Sequence, residues 1–392
     1  MTSPECDFAV ASALDAGGAL LKFISPNDAG VTLSHQYGFL LPQSAYPLLT
    51  PHAPVRGRND AHDVTIHWPD GTATDSVVRW YGRAKSEYRL TRFGRDFKYR
   101  NPDAVGDLLV IVPQTPTVFR AFVLKTEEDI EGIIAALNIA FDRGSGVYDA
   151  SHLVLTAEAA LVRLFEEYVG TLDAFPSGDE FSARTLEILR CCDPGFEGLP
   201  PDRKLTRGFS SEFDLFKLAE EHLVLPGVRG PFASIEEFID AAKPVLNRRA
   251  SRAGRSLENH FHYCLEEAGV PHDTRARNIP GAPDFVIPSA SAYADSSFPA
   301  EQLFIVAAKT TCKDRWRQVL QEGPRVHTKY LLTLQEGISP SQLMEMKRAG
   351  VVIVVPQSLF GSYVEPDEGG ILSLQAFLDL VSARRQDSTS LS

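Results

Sequence analysis

A mainly β N-terminal domain followed by an α/β C-terminal domain is the multidomain α+β organisation that the sequence predicts. Three observations carry it. The chain has 392 residues, more than one ordinary core holds and suited to two domains. Its first part, to about residue 125, alternates short strand-like runs with turn chemistry, as a barrel or sandwich does. Beyond Pro283, strand and helix signals alternate, the pattern of a sheet layered by helices.

In the first part, Gly38-Phe39-Leu40-Leu41-Pro42, Asp63 to Trp68 before the Pro69-Asp70-Gly71 turn, and Asp107 to Pro113 read as strands. Thr126-Glu127-Glu128-Asp129 starts a helix, with Ile130, Ile133, Ile134 and Leu137 at helical spacing. A Gly-Ser-Gly stretch and a helical piece from Thr156 to Tyr168 read as a connector. The domains are therefore expected at 1–145 and 176–392, joined by 146–175. In the second domain Ser210-Ser211-Glu212-Phe213 opens a helix toward His222. Ser234 and Glu237 stand in capping-box positions of another, and Ser256 to Ala268 forms a third. Strands follow near 284–287, 303–308, 329–333 and 351–355, with helices at 313–322 and 339–348. There is no internal repeat.

Hydrophobic residues make up 44% and charged residues 23%, as in soluble globular proteins. No apolar stretch reaches the length of a membrane span, and the N-terminus lacks the order of a secretory signal. Five cysteines without zinc spacing fit a reduced, cytoplasmic protein with no membrane partner. The net charge is -12, yet the basic residues are concentrated. Eight lie between Arg79 and Arg100, against Glu87 and Asp96, and five between Lys243 and Arg255 with no acid. Lys309, Lys313, Arg315 and Arg317 form a third group. A duplex meets one face rather than the average charge, so three such groups point to a polyanion.

The chemistry centres on Pro283-Asp284. Asp284 follows the turn Ile279-Pro280-Gly281-Ala282 and opens the apolar run Phe285-Val286-Ile287, while Lys309 ends the run Leu303 to Ala308. Two adjacent strands with a carboxylate and an ammonium at matching ends make a compact site for phosphodiester hydrolysis. The carboxylate would hold Mg²⁺, and the lysine would orient or deprotonate a water. A minimal nuclease core reads Pro-Asp, then Asp/Glu-x-Lys. Here Ala307 stands two before Lys309 and cannot bind a metal. Glu322, on the helix expected after Lys309, and Glu258, on the helix before the Pro-Asp strand, are the two candidates for the second acid.

The runs Asn247 to Glu258, Pro283-Asp284-Phe285 with Pro288-Ser289-Ala290, and Ala308 to Gln318 closely resemble the catalytic domain of EcoRII-type restriction endonucleases. Leu334-Gln335-Glu336-Gly337 and Val354-Val355-Pro356 continue the match. Ser25 to Gly30, His35-Gln36-Tyr37-Gly38 and Arg89 to Arg95 resemble that family's N-terminal DNA-binding pseudobarrel, the B3 fold. The resemblance spans nearly the whole chain and is most specific in the C-terminal half. It implies a PD-(D/E)XK restriction-endonuclease-like fold with the second acid moved off the strand. Asp284 and Glu322 would then bind Mg²⁺, Lys309 would assist the attacking water, and Glu258 would join the acid set. Lys313, Asp314 and Arg315 would enter the major groove, where Arg and Lys donate to guanine and Asp accepts from cytosine. Arg249 and Arg255 would lie at the DNA, Arg255 standing where close relatives carry Lys. Two N-terminal arms, Asn27 to Gln36 and Arg83 to Arg95, would contact DNA through His35, Arg83, Lys85, Glu87, Arg89 and Arg92.

His260-x-His262-x-Cys264 is read as packing, because only 260 and 264 share a helix face and no second ligand pair follows. Cys312, without a histidine partner in sequence reach, is read the same way. No nucleotide cradle is present. The expectation is a Mg²⁺-dependent type II restriction endonuclease cutting double-stranded DNA at a short CCWGG-like site. It would act as a homodimer, and the resemblance implies that the N-terminal domain binds an effector DNA copy and covers the active site when unoccupied. A cognate DNA methyltransferase of the same system would need no direct contact. A 5-methylcytosine-dependent endonuclease of the same architecture and a non-catalytic DNA-binding regulator are the alternatives. The regulator is disfavoured because neither a metal acid nor the lysine is lost.

Overall fold

The computed structural model describes residues 2–32, 38–51, 53–94, 97–139, 141, 144–151, 158–364 and 370–389. The chain forms two compact units, Met1–Val154 with Glu336–Gln342 and Gly361–Val364, and Leu155–Gln335 with Leu343–Phe360 and Glu365–Ser392.

The first unit holds α1 (Pro4–Ala16), β1 (Gly18–Phe23), β2 (Phe39–Leu41), α2 (Tyr46–Leu49), β3 (Asn59–His67), β4 (Ala73–Tyr81), β5 (Tyr88–Thr91), β6 (Leu108–Thr115), β7 (Val118–Leu124), α3 (Glu127–Leu137) and β8 (Ser145–Asp149). One eight-stranded sheet runs β2-β5-β4-β3-β7-β6-β1-β8. Strands β1 to β7 all send residues into one core, among them Leu20, Phe39, Ile66, Trp80, Leu90, Ile111 and Phe119. A flat sheet would not bring its two ends to one cluster, so the sheet curls into a barrel. Period-two alternation puts Leu109 and Ile111 of β6 inside, and Leu108, Val110 and Val112 on the outer face. Helices α1 and α3 cover that face with Ala9, Ala13, Ile130 and Ile133. Thr126 caps α3 as expected, its hydroxyl accepting from the Asp129 amide at 3.2 Å.

The second unit holds α4 (Ala159–Val169), α5 (Gly178–Cys192), α6 (Pro201–Val228), α7 (Ile235–Glu267), β9 (Asp273–Thr274), β10 (Phe285–Ile287), α8 (Ala290–Ala294), β11 (Phe304–Lys309), α9 (Trp316–Val319), β12 (Lys329–Thr333), most of α10 (Pro340–Arg348), β13 (Val351–Val354), β14 (Ile371–Leu372) and α11 (Leu374–Thr389). Its six-stranded sheet runs β14-β13-β12-β11-β10-β9. The pairs from β11 to β14 are parallel, and β9 and β10 are antiparallel. Phe285, Ile287, Phe304, Val306 and Ala308 face α6, α7 and α11, while Val286 and Ile305 face the opposite layer. The helix α4, within the stretch read as a connector, buries Leu161, Phe165 and Val169 against α5 and α6.

Three elements depart from the sequence reading. The helix expected at 313–322 is one turn, α9, because Gly323 adopts φ 49 and Pro324 follows, so Glu322 sits in the turn beyond the helix. The separate helices expected around 210–222 and 256–268 are parts of the long α6 and α7, which run through Pro226 and Pro244. Pro226 lies among the exposed last residues of α6 and Pro244 in the mostly exposed first half of α7, where water can satisfy the freed carbonyl. Among the described residues no helix is long and apolar enough to cross a membrane.

Candidate active site

Two strand ends build the site. In the register of β10 on β11, Phe285 opposes Val306, so Asp284 falls opposite Ala307 and on the face of Lys309. Asp284 Oδ2 accepts from the Ala308 amide and from Lys309 Nζ, both at 2.9 Å. Burial works against the Lys309 charge, but Asp284, and then Glu322 and Glu258, outweigh it and raise its pKa. The ammonium is therefore held protonated.

Glu322 reaches this pair through two turns locked back to back. The Gly323 amide donates to the Pro280 carbonyl at 2.8 Å. Gly281, at φ 81, packs so closely that a Cβ there would lie 2.6 Å from the Gln321 oxygen and the Glu322 Cα. The Pro/Gly turn that precedes Asp284 thus also seats Glu322. Glu322 is buried, and its Oε2 has no hydrogen-bond partner among the described residues. Burial, then Asp284, push its pKa up to about 7 although Lys309 and Lys329 oppose the rise. Lys329, 2% exposed, donates to the carbonyls of Gly323 and Val326 behind this turn.

Glu258 comes from α7, whose Leu257 and Phe261 pack on the other sheet face. Burial and Asp284 raise its pKa against Arg255 and Lys309. Arg255 Nη1 and Arg275 Nε both donate to its Oε2, at 3.3 and 3.0 Å. Four predicted residues, Glu258, Asp284, Lys309 and Glu322, are therefore brought into one electrostatic group. Among the described residues no three His, Cys, Asp or Glu side chains form a ready metal cluster. The donor set still suits a hard cation that keeps most of its waters: two carboxylates, one with an orphaned buried oxygen.

Lys313-Asp314-Arg315 forms the turn after β11, with Asp314 and Arg315 exposed. Lys313 is buried, and desolvation lowers its pKa to about 8 against the pull of Asp314. The basic stretch Lys243 to Arg255 is not the free cationic face that its charge suggested. Arg248 stacks on Phe175 at 3.9 Å and Arg252 on Phe213 at 4.0 Å. Arg249 forms a forked pair with Glu220, with a shortest contact of 2.6 Å. Burial lowers the pKa of Arg248 and of Arg252, the latter to about 10, and the aromatic faces and nearby acids offset only part of that cost. A cleft of about 740 Å³ between α5, α7 and β9 reaches Glu258 but not Asp284, Lys309 or Glu322. Asp179, Glu187, Glu197, Glu266 and Glu267 line it, which suits no polyanion. His260 is buried on Glu212 at 2.8 Å, and His262 bonds His272 at 2.7 Å.

In the first unit, Arg83 and Lys85 are exposed in the β4–β5 turn, and Arg92 is exposed at φ 70. Glu87 pairs with Arg89 at 2.8 Å, and Arg89 is buried. His35 and Arg95 lie outside the described residues. Asp28, buried with Lys22 at 3.0 Å, accepts from the Ser25 and Leu40 amides and anchors the base of the first arm. A pocket of about 380 Å³ lies between Asn27, Arg92, Phe93, Phe97 and Arg100. Sequence reasoning missed Arg275 and Lys329. Only a charge at the edge of an apolar strand run marked Lys329, and no pattern marked Arg275.

A carboxylate–lysine pair at the strand ends of a helix-covered mixed sheet, with further acids arriving from a turn and a helix, defines a PD-(D/E)XK-type nuclease domain. Residues 216–378 match the family "EcoRII C terminal". Residues 16–148 match "Restriction endonuclease EcoRII, N-terminal". The type II restriction enzyme EcoRII of Escherichia coli is 32% identical over 379 residues, covering 91% of this chain and 92% of that protein. The chain belongs to the EcoRII family of type II restriction endonucleases: it is a site-specific deoxyribonuclease whose first unit is the B3-like pseudobarrel. Among solved structures, metal-depleted Ecl18kI in complex with uncleaved, modified DNA overlaps 57% of this chain and 84% of its own (19% identity, TM-score 0.45). The PspGI–substrate DNA complex overlaps 54% and 94% (16% identity, TM-score 0.46).

Proposed function

We propose that the chain is a Mg²⁺-dependent homodimeric restriction endonuclease that cuts both strands of a short CCWGG-like site. Its active site is Glu258, Asp284, Lys309 and Glu322. The observation that supports it most is the Asp284–Lys309 contact of 2.9 Å beside the orphaned Glu322 oxygen. Asp284 and Glu322 would hold Mg²⁺, which when bound supplies Lewis-acid stabilisation of the charge developing on the phosphate. Lys309 stays an ammonium, its pKa raised on balance by Asp284, so its role is to orient the attacking water and the phosphate rather than to remove a proton. Glu258 supplies the remaining acceptor.

Lys313, Asp314 and Arg315 would read G·C pairs, and Arg249 and Arg255 would support the duplex. For Arg249 and Arg255 this requires exchange of their present carboxylate partners. In the first unit His35, Arg83, Lys85, Glu87, Arg89 and Arg92 would contact an effector copy of DNA. A palindrome cut on both strands calls for two related sites, hence a homodimer. The enzyme would act in the cytoplasm beside a methyltransferase that protects host sites without touching this chain. Digestion of unmodified and cytosine-methylated plasmids in Mg²⁺, with sequencing of the cut ends, tests the reading. Cleavage confined to unmodified CCWGG-like sites is expected; cleavage of methylated DNA alone would overturn it.

A further inference from the structure

Arg275 lies at the end of β9 with φ 52, a backbone conformation uncommon for a side chain of its size. Its amide donates to the Asp284 carbonyl at 2.7 Å, so the residue is tied directly to the strand that carries the acid. Its guanidinium reaches the other way. Nε donates to Glu258 Oε2 at 3.0 Å, and Nη2 donates to Asn259 Oδ1 at 3.1 Å and Asp179 Oδ1 at 3.3 Å. Asn259 is itself fixed, its amide donating to the Gly178 carbonyl and Ser182 Oγ of α5 at 3.1 and 3.0 Å. The second arginine on Glu258, Arg255, lies against the same helix start. A Cβ on Gly178 would come within 2.6 Å of the Arg255 Cγ.

Both arginines donate to one oxygen of Glu258, Oε2. The other, Oε1, has no hydrogen-bond partner among the described residues. Two charged donors on a single oxygen, one N–H from each arginine, hold a carboxylate in one rotamer while leaving its second oxygen open to accept. We infer that Arg275 is a positioning residue of the hydrolytic reaction: it clamps Glu258 through Oε2, presents Oε1 to the reacting centre, and couples α5 and α7 to the Asp284 strand. This rests on the proposed place of Glu258 in the active site. It also predicts a division between the two arginines. Arg255 is held by packing on Gly178, whereas Arg275 is held by its own backbone bond to Asp284.

Single-turnover cleavage by the full-length protein, with enzyme in excess, tests it on Arg275→Ala, Arg275→Lys, Glu258→Gln and the Arg275→Ala/Glu258→Gln double variant. Affinity for uncleaved DNA in EDTA and the thermal midpoint are measured alongside. Arg275→Ala is expected to slow cleavage about 100-fold, the order that a slightly misplaced group costs, with DNA affinity and midpoint close to wild type. Lysine keeps the charge but not the fork and should restore part of the rate. On Glu258→Gln the same alanine should cost nothing further, because the clamp has no carboxylate to hold. A wild-type rate for Arg275→Ala, or an equal loss on both backgrounds, overturns the inference. If Glu258→Gln alone cuts at the wild-type rate, the active-site reading of Glu258 fails and this inference with it.

Discussion

Replacing Glu322 by glutamine should stabilise the metal-free protein above neutral pH while abolishing cleavage. Glu322 is 8% exposed, and its Oε2 is buried without a hydrogen-bond partner among the described residues. Burial first and Asp284 second move its pKa from 4.5 to about 7. Between those values the folded protein retains a proton that the unfolded chain has released. Stability therefore falls as pH rises through this window. Below it both states are protonated and nothing is lost; above it the full penalty applies. The distance from 4.5 to about 7, at ~1.4 kcal/mol per pH unit, corresponds to about 3 kcal/mol. Glutamine keeps the shape and never ionises. Urea unfolding in EDTA should then show nearly equal stability at about pH 4, below the window, and an advantage for the variant of about 2–3 kcal/mol at about pH 8. Mg²⁺ should close the gap by stabilising only the wild type, since an ion that binds the folded state alone raises its stability. A difference that does not change with pH, or a variant less stable at pH 8, would refute the picture of an unpaired buried acid.

The other expectations concern single side chains and the division of the chain. Asp284→Asn should abolish cleavage in Mg²⁺ yet bind specific DNA at least as tightly, because a charge facing the phosphate is removed; Lys309→Ala should also be inactive, and wild-type cutting by either purified variant would remove that residue from the site. Arg315→Ala should lose about 1–3 kcal/mol of discrimination for G·C pairs rather than general affinity, and an unchanged ratio of specific to scrambled binding would reduce Arg315 to a phosphate contact. A fragment beginning near residue 155 should fold better than one beginning near 176, because only the longer one keeps Leu161, Phe165 and Val169 of the helical cluster. The thermal midpoints of the two fragments decide this, and equal midpoints would mean that α4 adds nothing to the second unit. If the longer fragment also cuts DNA without a second site in trans, the first unit is an effector; a folded, dimeric but inactive fragment would show that it contributes to catalysis.

Patterns of short range were legible in the sequence. The runs read near 284–287, 303–308, 329–333 and 351–355 became the strands Phe285–Ile287, Phe304–Lys309, Lys329–Thr333 and Val351–Val354, because a strand buried on both faces needs only a short β-branched or aromatic run bounded by turns. Asp284 and Lys309 were legible for the same reason, each sitting at the end of such a run. The barrel strands β2, β3 and β6 and the α3 cap were readable likewise from turn chemistry and from Thr126, whereas β1, β4, β5, β7 and β8 were not singled out. Tertiary structure alone decided the rest. Glu322 was expected on a helix, but it arrives through the Gly281–Gly323 double turn, a contact between segments some forty residues apart that leaves no local pattern. The arginines of Lys243 to Arg255 read as one basic face, yet Phe175, Phe213, Glu220 and Glu258 claim them one by one. Arg275 had no pattern at all, since its role lies in the four partners that folding brings to it. Periodicity tells which side of an element is buried; which partner waits there depends on closing long loops, and only the folded chain settles that.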